Sequence, residues 1–319
     1  MPTKHKPRKG SLQFWPRKKA KKILPSANWK AIAKADKEKK QGLLGFVGYK
    51  VGMTTALVED LTPNSMTLNE KKVLPCTIIE CPAIKVFSIR FYKKGKITSE
   101  ILVSKDKELK RKVKLPKKKI KEINLGALKE VDDVRLLCYT QPKLAKIKKK
   151  PDMCEIGIQA ESVEKKLEIA NGLIGKELSV LDVFQPLESI DVRAVTKGKG
   201  FSGPVKRFGI GLKSHKSEKG QRRPGSLGAW TPKKVSFRAP MAGQLGFFTR
   251  VQYNNQIILA GDKQEADALG EFSHYGIIRN PFLVVKGSLQ GAKKRPLLLT
   301  RPLRKSKKIG NYKFLRIVK

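Results

Sequence analysis

Short apolar runs broken by Gly and Pro dominate residues 43–92 of the chain. The runs read LLGFVGYK, TTALVE, VLPCTIIEC and IKVFSIRFY, and they are rich in β-branched and aromatic residues. Segments of this length and composition, separated by Gly and Pro, are typical of β-strands. The pattern therefore predicts a barrel or a compact sheet in this part of the chain.

A second set of predicted strands lies beyond residue 250, where QIILAG, FLVVKG and YKFLRIV resume the same pattern. Neither set has enough strands to close a sheet alone, so we expect the two sets to pair. The predicted β-barrel then comprises residues 43–92 and 176–292. A basic loop, residues 196–250, interrupts it as an excursion from one domain.

Residues 93–175 change character and predict an inserted α/β subdomain. Lys-rich segments flank VRLLCY, which is typical of a buried strand. An apolar stripe at helical spacing follows, formed by Val163, Leu167, Ala170 and Ile174. Ser162 precedes this stripe as a candidate N-cap, and Gly175 is expected to end the helix. The fold class predicted is mostly β with an α+β insertion and long basic extensions.

The net charge of the 319-residue chain is +43, far more than solubility requires. Such a charge opposes compaction and indicates a polyanionic partner. A membrane surface is the rival polyanion, but the sequence has neither a strongly amphipathic helix nor a lipidation signal. No apolar run approaches the ~18–20 residues of a membrane-spanning helix. We expect a cytoplasmic protein.

Three segments are poor in acid: a basic N-terminal arm (1–42), the loop 196–250 and a basic C-terminal segment (293–319). Asp36 is the first acid of the arm, Glu218 is the only acid of the loop, and the C-terminal segment has none. Phe14 and Trp15 lie among the cations of the arm. Their rings suit stacking on RNA bases, although packing on the protein's own core is the alternative.

The start of the loop formally matches the dinucleotide-binding pattern G-x-G-x-x-G, through Gly198, Gly200 and Gly203. The context does not fit, because Pro204 follows at once and no apolar helix is predicted after it. The glycines are better explained as a thin backbone that RNA can approach closely while the neighbouring lysines meet phosphates.

Trp230 lies in a stretch with little local apolar sequence, so its ring is expected to stack on or wedge against a base. The alternative is that the ring folds back onto the protein's own barrel. The residues expected to bind RNA are Arg8, Lys9, Trp15, Arg17, Lys18, Lys19, Lys197, Lys199, Lys206, Arg207, Lys213, His215, Lys216, Arg222, Arg223, Trp230, Lys233, Lys234 and Arg250.

Catalytic chemistry finds no support in the sequence, which lacks nucleophile-elbow, zincin and P-loop motifs. The four cysteines are not spaced as metal ligands and are expected to be buried free thiols. We therefore expect no enzyme activity, no metal and no cofactor. The four are Cys76, Cys81, Cys138 and Cys154.

Several long motifs resemble the large-subunit ribosomal protein three family in its archaeal/eukaryal form. They are PRKGSLQFWPRKKAKK, GFVGYKVGMTTALVED, YTQPKL, IDVRAVTKGKGFSGPVKRFG, GSLGAWTPKKV and MAGQLGFFTR. The resemblance covers nearly the whole chain. It implies a translation-factor-like β-barrel with an α/β insertion, and a loop at 196–250 that runs through rRNA toward the peptidyl-transferase region.

The resemblance also implies direct binding to large-subunit rRNA, a role in early subunit assembly and contacts with neighbouring large-subunit proteins. We expect neither a membrane nor a second copy of the chain as partner. One alternative is a non-specific RNA chaperone or nucleic-acid-compacting protein. Another is an RNA-modifying enzyme, for which the sequence offers no cofactor motif.

Overall fold

The structure is a computed structural model that describes residues 14–36, 40–116, 131–231, 233–267, 269–304, 306 and 309–318. It divides into two compact units. The larger unit comprises Lys22–Ala194 and Arg250–Lys319, and the smaller comprises Met1–Lys21 and Val195–Thr249. Strands dominate the described residues, and the helices are few and short.

The strands, in chain order, are β1 (Gly42–Leu43), β2 (Gly45–Asp60), β3 (Lys71–Glu80), β4 (Ile84–Lys93), β5 (Lys96–Leu102), β6 (Asp133–Thr140), β7 (Met153–Gln159), β8 (Ser189–Val195), β9 (Gly198–Ser202), β10 (Gly243–Gly246), β11 (Thr249–Gly261), β12 (Glu271–Phe272), β13 (Gly276–Ile277), β14 (Phe282–Lys286), β15 (Pro296–Thr300) and β16 (Tyr312–Val318). The α-helices are α1 (Trp29–Ala35), α2 (Val163–Gly172), α3 (Pro204–Phe208) and α4 (Lys263–Asp267). A 3-10 turn covers Lys107–Arg111.

The largest sheet has seven strands in the order β15-β8-β11-β14-β3-β2-β16. β15 also pairs with β2, so six of these strands form a ring of pairings. β2 is long enough to serve two partners: its first part, Gly45–Tyr49, pairs with β15, and its second part, Thr55–Asp60, pairs with β16. The two predicted strand sets therefore pair with each other, as expected from their individual lack of partners.

A second sheet has five strands in the order β1-β7-β6-β4-β5. It contains IKVFSIRFY, which we expected in the sheet formed by the other runs of 43–92. This strand, β4, pairs with β5 and β6 instead. Its residues are buried on both faces, so its apolar pattern carries no sign of which sheet it joins.

Helix α2 begins where the sequence predicts. The Ser162 hydroxyl accepts a hydrogen bond from the Lys165 backbone N–H at 3.2 Å, which confirms Ser162 as the N-cap. Ala170 is buried, and the rest of the predicted stripe packs against the core. The helix was expected to end at Gly175, but it ends three residues earlier, at Gly172. Gly172 is the first glycine that the helix reaches, and glycine is a poor helix former. Gly175 follows in the left-handed conformation, with φ +74°.

The turn between β2 and β3 is built around the carboxylate of Asp60, whose surface is 2% exposed. Lys72 Nζ lies 2.7 Å from its Oδ2, and the hydroxyls of Ser65 and Thr67 donate to the same oxygen. The Thr62 backbone N–H donates to Oδ1. The Lys72 ammonium and these other donors hold the pKa of Asp60 well below its ordinary value.

Candidate nucleic-acid interface

The basic loop leaves and returns through a two-stranded antiparallel hairpin, β9–β10. Ser202 lies opposite Gly243, and Gly198 lies opposite Gly246. Gly246 has φ +69°, and a Cβ on it would lie 2.0 Å from the Lys197 carbonyl oxygen. No other residue type fits there without moving the backbone, so this glycine fixes how the two ends of the loop meet.

A single helical turn, α3, follows the glycine motif, where we expected no apolar helix. Pro204 takes the first helical position, which suits its fixed φ and its missing N–H. Phe208 at the other end is buried, and Gly209 ends the turn with φ +65°. The expectation was wrong because five residues are too few to show helical periodicity.

Arg207, expected to bind RNA, lies half-buried against the returning strand. Its Nη1 donates to the Met241 carbonyl at 2.8 Å, and its Nε donates to the Gln244 carbonyl at 3.1 Å. Burial lowers the pKa of the guanidinium. Arg207 thus fastens α3 to β10, a role that the sequence did not reveal because nothing in its local sequence distinguishes it from the other cations of the loop.

Trp15 is also half-buried, in contact with residues of the loop. Its ring lies 6.4 Å from the Phe208 ring and 5.5 Å, edge-on, from the Phe237 ring. The Arg17 guanidinium lies over both Trp15 and Phe208, 4.7 and 4.3 Å from their centroids. We name Trp15, Arg17, Phe208 and Phe237 the arm clamp, since they join the arm to the loop.

The arm is also joined to the loop by a backbone hydrogen bond. The Ala20 N–H donates to the Phe247 carbonyl at 2.9 Å. Lys19 Nζ lies 5.6 Å from the centroid of the Phe247 ring. The arm's described residues up to Lys21 therefore have fixed positions on the loop within the smaller unit.

Most of the predicted cations are exposed. Within the described residues of the loop, Glu218 is the only acid, so most of these cations have no acidic residue near them along the chain. The exposed predicted residues are Lys18, Lys19, Lys197, Lys199, Lys206, Lys213, His215, Lys216, Arg222, Arg223, Lys233 and Lys234. Arg250 is half-buried in the larger unit. Arg8 and Lys9 lie outside the described residues.

Trp230 exposes 83% of its surface. The Lys233 backbone N–H donates to the Trp230 carbonyl at 2.8 Å, and Lys233 Nζ lies 5.8 Å from the indole centroid. The ring thus projects from a turn with a cation beside it, and it does not fold back onto the protein. A bare indole of this size is suited to stacking on a flat, π-faced partner.

Five further large apolar side chains of the loop are exposed, and the sequence alone did not indicate a role for them: Phe201, Leu212, Val235, Phe237 and Met241. Phe201, Leu212 and Phe237 are each largely exposed, and Arg238 lies 5.4 Å from the Phe237 ring. The available signal was their position in an acid-poor, glycine-rich segment, where few residues nearby in the sequence are apolar.

The four cysteines are free and buried, as expected. Burial raises the pKa of the Cys154 thiol to about 12 and that of Cys76 to about 11. Among the described residues, no group of three or more His, Cys, Asp or Glu is placed to hold a metal ion. No helix in the described part of the chain is long and apolar enough to cross a membrane.

These features define a class of basic, mostly β proteins that carry an exposed cationic segment. Comparison with known proteins makes the class specific. The family described as Ribosomal protein L3 matches residues 1–313. The chain belongs to this family, as the resemblance in its motifs indicated.

Archaeal relatives agree along almost the whole chain. The large ribosomal subunit protein uL3 of Methanosphaera stadtmanae is 39% identical over 95% of this chain and 94% of its own length. The protein of the same name from Methanocaldococcus jannaschii is 41% identical over 94% of this chain and 92% of its own. The protein from Methanococcus vannielii is 41% identical over 93% and 91%.

Proposed function

We propose that this protein is a structural constituent of the large ribosomal subunit in the cytoplasm and binds large-subunit rRNA directly. The observation that carries the proposal is the exposed cationic loop 196–250, which has a single acid and an exposed Trp230. Family membership supports the large subunit as the location of the protein. The loop provides the cations and the ring that would contact rRNA.

The proposed mechanism is charge neutralisation combined with shape. Exposed Lys side chains act as point charges on phosphates, whereas Arg222 and Arg223 offer planar donors that suit bidentate phosphate contacts. The Trp230 ring then stacks on or wedges against a base near the peptidyl-transferase region. The same contacts support early assembly, because a chain that bridges RNA helices holds them together before the subunit is complete.

The proposed architecture assigns the six-stranded ring to a translation-factor-like barrel and the five-stranded sheet to an inserted subdomain. The closed ring of pairings supports the first assignment. Because β4 lies in the five-stranded sheet, the insertion would begin near Ile84, earlier than residue 93. In this scheme the start of the arm, up to Lys21, and the loop 196–250 are extensions that contact rRNA. Residues 22–42 and 293–319 were also expected to be extensions, but they contribute α1, β15 and β16 to the larger unit.

The arm clamp gives the proposed loop a fixed base. Trp15 and Arg17 were expected to touch RNA, but their rings and guanidinium contact Phe208 and Phe237. We infer that these two residues support RNA binding by holding the arm and the loop together. Phe14, by contrast, exposes 59% of its surface.

Competition binding tests the proposal. A labelled large-subunit rRNA fragment bound to the full chain is challenged with a large excess of unrelated RNA of equal length. A fitted interface retains the fragment. Displacement in proportion to total phosphate would identify the alternative, a non-specific RNA chaperone, since counterion release alone does not distinguish RNA sequences.

A further inference from the structure

The outer face of strands β3, β2 and β16 presents aliphatic side chains to solvent. Along the second part of β2, burial alternates strictly, with Ala56, Val58 and Asp60 facing the core. Thr55 and Leu57 face outward between them. Each outward residue has two direct neighbours: Leu57 lies opposite Val73 and Arg316.

The neighbouring positions extend this face. Thr55 lies opposite Pro75 and Val318. Val73 exposes 59% of its surface, and Met53, at the end of the same face, exposes 51%. We name the residues Met53, Thr55, Leu57, Val73, Pro75 and Val318 the β16 face. Exposed apolar side chains that adjoin one another on neighbouring strands are typical of an interaction site.

Charges border the β16 face at one end. Glu59 lies opposite both Lys71 and Lys313, and Lys313 Nζ is 3.6 Å from a Glu59 carboxylate oxygen. Arg316 is exposed beside Leu57. Three cations against one carboxylate leave this border positive, so the complementary surface carries Asp or Glu beside its apolar centre.

The chemistry of the face favours a protein over RNA. The aromatic residues of β16, Tyr312 and Phe314, pack against the opposite, core-facing side. Among the described residues of the β16 face, no aromatic ring is available to stack on a base. Aliphatic side chains gain nothing against phosphates but gain from apolar protein surface, as the centres of protein interfaces do.

The open edge of β16 is less suited to a partner than its outer face. β16 pairs with β2 alone, yet its register shifts between Phe314 and Arg316, which places a bulge in the edge. Bulges and edge cations such as Lys313 obstruct the addition of another strand. A partner is therefore expected to lie across the three strands.

We propose that the β16 face docks a neighbouring protein of the large subunit that presents apolar side chains bordered by carboxylates. This proposal rests on the proposed function, since it takes the large subunit as the place of contact.

Site-specific photo-cross-linking tests the proposal. A benzophenone amino acid replaces Val73 in the full chain, and large subunits that contain the variant are purified and irradiated. We expect a cross-link to one protein, within or beside a segment rich in Asp and Glu. A cross-link to rRNA, a cross-link to a protein segment without acids, or no cross-link at all would overturn the proposal.

A matched position checks specificity. Ile97 is similarly exposed, on the edge strand β5 of the five-stranded sheet. The same probe at Ile97 should not capture the protein that position 73 captures, and capture of one protein from both positions would contradict a defined docking face.

Charge reversal tests the positive border. The double variant Lys71→Glu and Lys313→Glu should lower the cross-link yield from position 73 about five- to tenfold, because two attractive border contacts become repulsive. Lys96→Glu, an exposed lysine beside Ile97, should leave the yield unchanged. An unchanged yield in the double variant, with thermal melting of the free protein also unchanged, would overturn the charge assignment.

The outcome separates this proposal from the proposed function. Failure of the unsubstituted chain to co-sediment with large subunits would refute the proposed function. Co-sedimentation together with a negative result at position 73 would refute the docking face alone.

Discussion

The exposure of Trp230 predicts that its ring matters for function and not for the stability of the free protein. With 83% of the ring in solvent, Trp230→Ala removes almost no internal packing. The free protein should keep its stability within about 0.5 kcal/mol, as at other surface positions. Large subunits that contain the variant should lose activity in peptide-bond formation.

Thermal melting of the free protein and a single-turnover peptidyl-transfer assay measure the two quantities. Phe208→Ala is the contrasting variant, because Phe208 is buried. A drop in melting temperature for Trp230→Ala as large as that for Phe208→Ala would mean that the indole belongs to the protein's own core.

Asp60 leads to a prediction about pH. Its pKa is lowered in the folded protein, chiefly by Lys72 and by Thr62. A carboxylate of this kind contributes stability above its unfolded pKa, with an ordinary value of 3.8, and loses the contribution as pH falls through the folded pKa. Asp60→Asn should therefore destabilise the protein at pH 7, and the difference from the unsubstituted protein should shrink below about pH 4.

Denaturant unfolding at a series of pH values measures this difference. Glu70→Gln changes an exposed carboxylate of the same turn and should show little effect at any pH. A destabilisation by Asp60→Asn that stayed constant down to pH 2 would mean that Asp60 stabilises the turn through the shape of its side chain and not through its negative charge.

At the scale of elements, the arm clamp joins a segment at the start of the chain to the loop nearly 200 residues later. Trp15→Ala should remove two ring contacts and one cation–π contact, which costs about 1–2 kcal/mol locally. Amide exchange of α3 and of the β9–β10 hairpin should become faster by roughly tenfold or more. Affinity for an rRNA fragment should fall as a consequence.

Ile23→Ala is the matched control, since Ile23 is an exposed apolar residue of the arm. It should leave exchange in α3 unchanged. If Trp15→Ala lowered RNA affinity without any change in exchange, Trp15 would be a direct RNA contact, as the sequence alone suggested.

Some secondary-structure elements could be predicted from the sequence, and their pairing could not. Periodicity located the strands of both sets and the capped start of α2, because these depend on local pattern and local hydrogen bonds. The sheet that β4 joins depends on its pairing with β5 and β6, and a strand buried on both faces does not encode its partners in its own pattern.

The exposure of the basic loop was predictable from its composition, whereas the contacts of its individual residues were not. The acid-poor composition marked the loop, and Trp230 was found from its lack of local core. The sequence could not separate Arg207, which bonds to the backbone of Met241 and Gln244, from the exposed cations beside it. That distinction arises only when β10 returns to lie beside β9.

At the scale of the whole molecule, the loop and the insertion are expected to contribute differently to RNA binding. Lys213, Lys216 and Arg222 are exposed in the loop, and Lys107, Lys110 and Lys112 are exposed in the proposed insertion. Alanine at the three loop positions should lower the salt dependence, the slope of log K against log [salt], by about 2–3. Alanine at the three insertion positions should change it by less than about 1.

Filter binding to a large-subunit rRNA fragment between low and high salt gives both slopes. The two triple variants carry the same loss of charge, so they control for each other. Equal loss of slope in both would mean that the protein meets RNA through its net charge and not through a defined surface.

We propose that this chain is a fitted component of the large subunit and not a loosely bound polycation. Sedimentation of cell extract after a high-salt wash distinguishes the two, because high salt screens non-specific phosphate contacts. We expect the protein to remain with the large subunit through the wash. Release into the soluble fraction, or spreading over unrelated RNA, would contradict it.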